Sequence, residues 1–429
     1  MENKISFNVD HPADFKIQML NWVNRFSIFC FLDNQGYDFS NPAFDCLLAV
    51  GSKRNIQLTG TGAFEELKKF AREERKEWLF GHLGYDLNIE ASEPARPVHD
   101  GIGFSHLHFF VPELIVRLNK KEVQIICEGD PAVVLAEILH FPATIDHPEE
   151  EALSIQNRIC REDYIHTIHQ IQLHILRGDC YELNFCQEYF AENVSHDPLK
   201  LFQRLTAVSP NPFAVFYRTG DKYCICASPE RYLQKNGSRI ISQPIKGTSR
   251  RDLSNPANDA VQKQYLLESG KERSENVMVV DLVRNDLSRV CIPGSVIVDE
   301  LFGLYSFPQV HQMISTISGE LKEGLDWVDC IGASFPMGSM TGAPKKRVME
   351  LIDQYEHTRR GLFSGAVGYI NPTGDFDFNV VIRTLLYNST NRYLSFQTGS
   401  GITFYSDAEK EYEECQLKAT AIKRILTRP

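Results

Sequence analysis

Phe213–Pro244 reads FAVFYRTGDKYCICASPERYLQKNGSRIISQP. Phe213–Arg218, Tyr223–Ser228 and Arg239–Pro244 are strand-length runs rich in β-branched and aromatic residues. Gly220-Asp221 and Asn236-Gly237 supply the turns between strands, because glycine and asparagine accept left-handed backbone. Working upstream, Ile165, Ile168, Ile171 and Ile175 give Glu162–Leu176 a helical period. Arg177-Gly178-Asp179 breaks it, and Cys180–Phe190 (CYELNFCQEYF) alternates as a strand does. Downstream, the pattern predicts one long helix over Pro256–Leu287 and helices over Asp326–Phe335 and Pro344–Tyr355. Strands over Leu362–Ile370, Phe376–Tyr387 and Arg392–Thr398 follow, then a final helix from Asp407. Strands and helices interleave without a βαβ beat, which predicts a mixed, largely antiparallel architecture.

The N-terminal part reads as strands at Phe26–Leu32, Phe109–Leu118 and Val123–Cys127, with a charged helix over Glu65–Arg75. His82, His106 and His108 show no metal-triad spacing and read as core or surface histidines. The polar, acidic segment Asp146–Asn157 (DHPEEEALSIQN) is the expected boundary between an α/β region at 1–150 and a catalytic region at 151–429, or else a surface loop within one fold.

With 45 Lys plus Arg against 56 Asp plus Glu, the formal net charge is −11 and no basic block stands out, which argues against nucleic-acid or anionic-membrane binding. No apolar run approaches the roughly 20 residues of a spanning helix, and Met1–Asp10 lacks the apolar core of a secretory signal. The 11 cysteines carry no zinc-ligand spacing and read as reduced thiols. A cytoplasmic enzyme is expected.

Familiar nucleotide and hydrolase signals fail. Gly338–Lys345 (GSMTGAPK) has the wrong spacing for a P-loop, and no GxGxxG, HExxH or GxSxG occurs. Two carboxylate pairs stand out instead. Glu272 and Glu275 share a helix face, as do Glu411 and Glu414, with Lys418 one turn further on. Facing each other, the pairs would suit Mg²⁺, a hard cation that prefers oxygen; the alternative is two solvated charged faces. Lys246, in Pro244–Thr248 (PIKGT), is a potential nucleophile if desolvated, or else a surface lysine. Arg383, read as mid-strand in an apolar run, needs either a substrate anion or a structural ion pair. Gly399-Ser400-Gly401 would let backbone amides approach an anion. These residues allow a magnesium-dependent enzyme acting on a small polyanion.

Taken together, PIKGT, Lys271–Arg289 (KERSENVMVVDLVRNDLSR), His311 with Ser315-Thr316-Ile317, Phe335–Lys345 (FPMGSMTGAPK), Arg360–Tyr369, Arg383 and Gly399–Lys418 resemble the chorismate-utilising enzymes. That family includes anthranilate, aminodeoxychorismate, isochorismate and salicylate synthases. The resemblance is dense over roughly residues 160–425 and loose before them. It implies an α+β fold: two packed, largely antiparallel sheets forming a sandwich flanked by helices, with the active site in a deep cleft.

The lysine of PIKGT resembles the aminodeoxychorismate synthase branch; anthranilate synthases look like PIAGT. The resemblance implies that Lys246 attacks C2 of chorismate and expels the C4 hydroxyl, and that ammonia then adds at C4. Glu230, in Ser228-Pro229-Glu230, matches the family's general acid/base. Glu272, Glu275, Glu411 and Glu414 match its Mg²⁺ site, and Gly247, Thr248, His311, Thr341, Arg383, Gly399, Gly401 and Lys418 its substrate pocket. Phe363 stands where many members have tyrosine, so one hydroxyl contact to substrate is expected to be missing. Glu182 stands where the water-using members carry lysine, which argues against water as nucleophile. The string Leu266–Ser269 (LLES) matches the tryptophan-binding motif of anthranilate synthases only in letters, since it lies outside the N-terminal region. No Gly-x-Cys-x-Gly glutaminase turn occurs, so a separate glutamine amidotransferase subunit is the expected partner. Anthranilate synthase component I is the alternative within the family, and a catalytically silent chorismate-binding subunit the alternative outside enzymology.

Overall fold

The computed structural model describes residues 3–37, 44–60, 62–88, 98–144 and 151–427. Its strands alternate between two apolar environments, as period-2 geometry requires of a sheet covered on both faces. Cys30, Leu47, Ala49, Ile115, Val215 and Tyr217 point into one core. Their neighbours Phe29, Phe31, Leu48, Val116, Ala214 and Phe216 point into another. The first core fills the space between two sheets and continues beneath helices Ala63–Glu73, Gly270–Val290 and Trp327–Ser334. The second is closed by helices Pro12–Val23, Pro131–His140, Pro198–Val208 and Ala408–Thr427.

Among the described residues one sheet has 12 strands and the other 10. The pairings between named strands are antiparallel in both. The larger runs from Asn3–Asn8 at one edge to Glu182–Ala191 and the short Gly342–Ala343 at the other. The smaller begins at Ile245–Arg250, follows Val310–Glu320, and ends at Arg54–Leu58. The fold is therefore an α+β sandwich of two antiparallel sheets, as expected. Strands from both sides of the Asp146–Asn157 segment enter both sheets; residues 146–150 themselves lie outside the described residues.

Three sequence expectations are corrected. The long helix over Pro256–Leu287 is two helices, Pro256–Glu268 and Gly270–Val290. Ser269 separates them in extended backbone, its side chain accepting from the Glu272 amide at 3.3 Å. Phe109–Leu118 is two strands, Leu107–Val111 in the smaller sheet and Leu114–Asn119 in the larger, split at Pro112. Phe376–Tyr387 likewise divides into Phe376–Asn379 and Thr384–Asn388, which belong to different sheets.

That last division moves Arg383 out of a strand interior. The crossover Val380–Arg383 is apolar because Val380 and Val381 pass through the core at 0% exposure. It runs beside a second crossover at Pro229-Glu230, between Lys222–Ser228 of the larger sheet and Arg231–Asn236 of the smaller. The amide of Val380 donates to the Glu230 carbonyl at 3.0 Å, and the amide of Ala227 to the Arg383 carbonyl at 3.2 Å. Two sheet-switching links thus lie side by side, one carrying Glu230 and the other Arg383. No helix among the described residues is long and apolar enough to cross a membrane.

Candidate active site

Lys246 projects from the edge strand of the smaller sheet, and Glu182 opens the strand next to the far edge of the larger. Nζ of Lys246 donates to Oε1 of Glu182 at 2.6 Å, with side chains only 11% and 2% exposed. This buried ion pair joins the two sheets. Burial alone would push the ammonium down, but Glu182, Glu275 and Glu414 together outweigh it and hold Lys246 well above the ordinary lysine range. The lysine is therefore desolvated, as a nucleophile must be, yet held as a cation. Asn276 ties down its backbone, donating to the Lys246 carbonyl at 3.4 Å while accepting from Ser315 Oγ at 2.6 Å.

Two glycines make room for the pair. A Cβ on Gly401 would lie 2.6 Å from Glu182 Oε1 and 3.0 Å from Lys246 Nζ. Gly247 has φ +98°, and a Cβ there would meet Glu272 Oε2 at 3.1 Å and Leu266 at 3.2 Å. Leu266, of the LLES string, is thus core packing beneath this strand.

The two glutamate pairs arrive on helices from opposite sides. Gly270–Val290 packs on Ile245–Arg250 and brings Glu272 and Glu275; Ala408–Thr427 packs on Tyr393–Thr403 and brings Glu411 and Glu414. They meet through lysines. Lys271 Nζ lies 2.9 Å from Glu411 Oε1 and 3.8 Å from Glu275 Oε1. Lys418 Nζ lies 2.8 Å from Glu414 Oε1 and donates to the Gly399 carbonyl at 2.9 Å. Burial, with like charge from Glu182 and Glu272, raises the Glu275 carboxyl. Among the described residues no three histidine, cysteine or carboxylate side chains are gathered into a metal cage. Even so, Glu275 Oε1 and Glu411 Oε2 are buried without a hydrogen-bond donor. Buried carboxyl oxygens left without a donor fit a hard cation, so the chemistry of the donor set suits Mg²⁺.

Glu230 is 3% exposed at its crossover. Burial pushes its carboxyl up to about 7, against the opposing pull of Ser339, the Ile245 backbone and Lys246. Arg383 sits on the adjacent crossover with φ +51°. Burial lowers its guanidinium to about 10, so it remains a cation at neutral pH, and among the described residues no hydrogen bond or ion pair engages it. Arg383 is half-buried, and a guanidinium that no protein group engages is free to receive an anion.

The remaining expected residues divide. Gly399 and Gly401 pair with Cys186 and Asn184 on the strand that Glu182 opens, and Thr248 lies exposed on the Lys246 strand. His311 is buried with both ring nitrogens engaged, Nδ1 with Ser306 Oγ at 2.8 Å and Nε2 with Asp259 Oδ1 at 3.1 Å. The Thr341 hydroxyl donates back to the Met337 carbonyl at 3.1 Å. Phe363 packs in the core at 2% exposure. Sequence reasoning missed Lys271 and Asn276 as polar partners of the site, and read Glu182 only as the absence of a lysine. The capping string Ser269-Gly270-Lys271-Glu272 was a usable signal for where this helix starts.

Residues 29–424 match the family described as chorismate binding enzyme. Aminodeoxychorismate synthase component 1 of Klebsiella aerogenes is 38% identical over 336 residues, 78% of this chain and 74% of that protein. An anthranilate synthase component I-like protein of Synechocystis sp. is 33% identical over 357 residues, 81% of this chain and 72% of that protein. Among solved structures, anthranilate synthase component I from Streptococcus pneumoniae TIGR4 has a TM-score of 0.76 at 26% identity, covering 90% of this chain and 94% of that one.

Proposed function

The chain belongs to the chorismate binding enzyme family, and from that premise we propose that it is the synthase component of an aminodeoxychorismate synthase. It converts chorismate and ammonia to 4-amino-4-deoxychorismate, for p-aminobenzoate and folate synthesis. The observation that carries this reading is Lys246: a lysine at the meeting of the two sheets, paired with Glu182 and near enough to Glu230 to act on its raised carboxyl.

Arg383 and Lys418 receive the carboxylates of chorismate, while Gly247, Thr248, Gly399 and Gly401 keep the walls low enough for the ring to approach. His311 and Thr341, whose polar atoms are engaged with their own neighbours, shape the walls. Nζ of Lys246 forms a bond to C2, the ring double bonds shift, and the C4–O bond breaks. Glu230, held protonated near neutrality, supplies the proton with which that oxygen leaves as water. Ammonia then adds at C4, the double bonds shift back, and the C2–N bond breaks to return the lysine. Covalent catalysis of this kind divides one difficult displacement into two easier ones. Glu272, Glu275, Glu411 and Glu414 would hold Mg²⁺, which when bound supplies a Lewis acid for the ring carboxylate and for charge developing in the ring.

Ammonia comes from a glutamine amidotransferase subunit, a reading supported by the word component in the name of the 38% identical relative. The working place is the cytoplasm. The 33% identical relative's name favours anthranilate synthase as the second reading, and the product separates the two. Purified chain with chorismate, Mg²⁺ and ammonium at alkaline pH, analysed by mass spectrometry beside Lys246→Ala, should give aminodeoxychorismate from wild type and little from the variant. Anthranilate as the wild-type product would replace this reading with the second one.

A further inference from the structure

We propose that Glu182 is the base that takes the proton from Lys246 and presents it to chorismate as a free amine. The inference rests on the covalent reading above and names a residue with no role in it. Three observations carry it. Oε1 of Glu182 already lies in the line of proton transfer, 2.6 Å from Nζ. The Glu182 side chain is 2% exposed, which shields the pair from bulk solvent on that side. Its second oxygen, Oε2, is buried with no hydrogen-bond donor.

The bare oxygen separates a base from a strut. An ion pair built for stability has its remaining lone pairs satisfied, because an uncompensated buried charge is expensive. Oε1 faces the ammonium directly, so the carboxylate is placed to take its proton. Lys246 needs such help, since its surroundings hold it as ammonium: Glu182, Glu230, Glu272, Glu275, Glu414 and Lys418 all act on it, and the carboxylates dominate. Gly401 leaves the space in which the two side chains meet.

The step balances. One proton passes from Nζ to Oε1, leaving an amine and a carboxylic acid. The freed lone pair on Nζ forms the bond to C2, the ring double bonds shift, and the C4–O bonding pair leaves on oxygen, which takes its proton from Glu230. No oxidant or further reactant is required.

The test follows adduct formation on the full chain, mixed with chorismate and Mg²⁺ without ammonia and read by intact mass. Wild type should gain the mass of chorismate less water, on Lys246. Glu182→Gln keeps the shape but cannot accept a proton, and should form the adduct about 10²-fold more slowly at neutral pH. That deficit should narrow about tenfold per pH unit as solvent deprotonates the lysine instead. Glu182→Asp, which restores a carboxylate, should recover part of the rate, and thermal melting of both variants establishes that they are folded. If Glu182→Gln forms the adduct at the wild-type rate, or its deficit is the same at every pH, Glu182 is not the base. If wild type forms no adduct and Lys246→Ala still aminates chorismate, the covalent reading falls and this inference with it.

Discussion

A Cβ placed on Gly401 would stand 3.0 Å from Nζ of Lys246, inside ordinary van der Waals separation, and 2.6 Å from Oε1 of its partner Glu182. The obstacle is two side-chain termini rather than backbone, so the fold can absorb a methyl group there while the pair cannot stay where it is. Gly401→Ala should therefore melt within a few degrees of wild type yet lose activity. A displacement of about 1 Å at a reacting atom costs on the order of 10²-fold in rate. Melting curves and kcat with chorismate and ammonium check this; an active variant would mean the pair is not held at its reacting position.

Arg383 gives the complementary prediction, on binding. Arg383 is half-buried, its guanidinium is unengaged among the described residues, and φ is +51°. Arg383→Lys keeps the charge and the backbone demand but loses the fork that grips a carboxylate from two sides. Charge-assisted hydrogen bonds contribute about 1.5–3 kcal/mol each. KM for chorismate should accordingly rise roughly ten- to a hundredfold, with kcat changed far less. A fall in kcat at constant KM would place Arg383 in the chemistry instead of the recognition.

The misplacement of Arg383 within a strand marks where sequence periodicity stops being informative. Val380 and Val381 are apolar because they cross the core between sheets, and a crossover through a core has the composition of a strand. The same ambiguity fused Leu107–Val111 with Leu114–Asn119, although Pro112 marks the break. Helices that bury one stripe were easier: Arg161–Leu176 and Ala408–Thr427 lie within a residue or so of their expected positions. Within the site, the spacings Glu272–Glu275 and Glu411–Glu414 were legible because helix geometry is local. That Glu182 meets Lys246 was not, because a contact spanning 64 residues depends on how the sheets close.

Glu230 sets a pH dependence. Its carboxyl is raised to about 7, chiefly by burial, so its protonated form is populated below that pH and is lost as pH rises through it. Lys246 meanwhile keeps its proton over the same range, because it is held well above its ordinary value. Adduct formation from chorismate without ammonia should therefore be level below pH 7 and fall about tenfold per unit above it. Glu230→Gln should be slow and should lack this descending limb. A limb that persists in the variant would assign the titration to another group.

A buried histidine–tyrosine network makes stability sensitive to acid. His82 donates from Nε2 to the Ser105 carbonyl at 2.9 Å, leaving Nδ1 to accept from the Tyr217 hydroxyl at 3.0 Å. Tyr217 in turn accepts from His108 Nδ1 at 2.5 Å. Each ring is neutral in this arrangement, and burial lowers His82 to about 3 and His108 to about 4. A depressed histidine stabilises the fold above its unfolded value near 6.5, and that stability drains away as pH falls toward the folded value. Each ring should contribute about 1.4 kcal/mol of lost stability per pH unit below about 6. Urea unfolding at a series of pH values from 7.5 to 5 measures the slope. His108→Gln keeps a donor for Tyr217 without a titrating proton, so its slope should be shallower by one histidine's share; an unchanged slope would mean that His108 takes no part in the acid response.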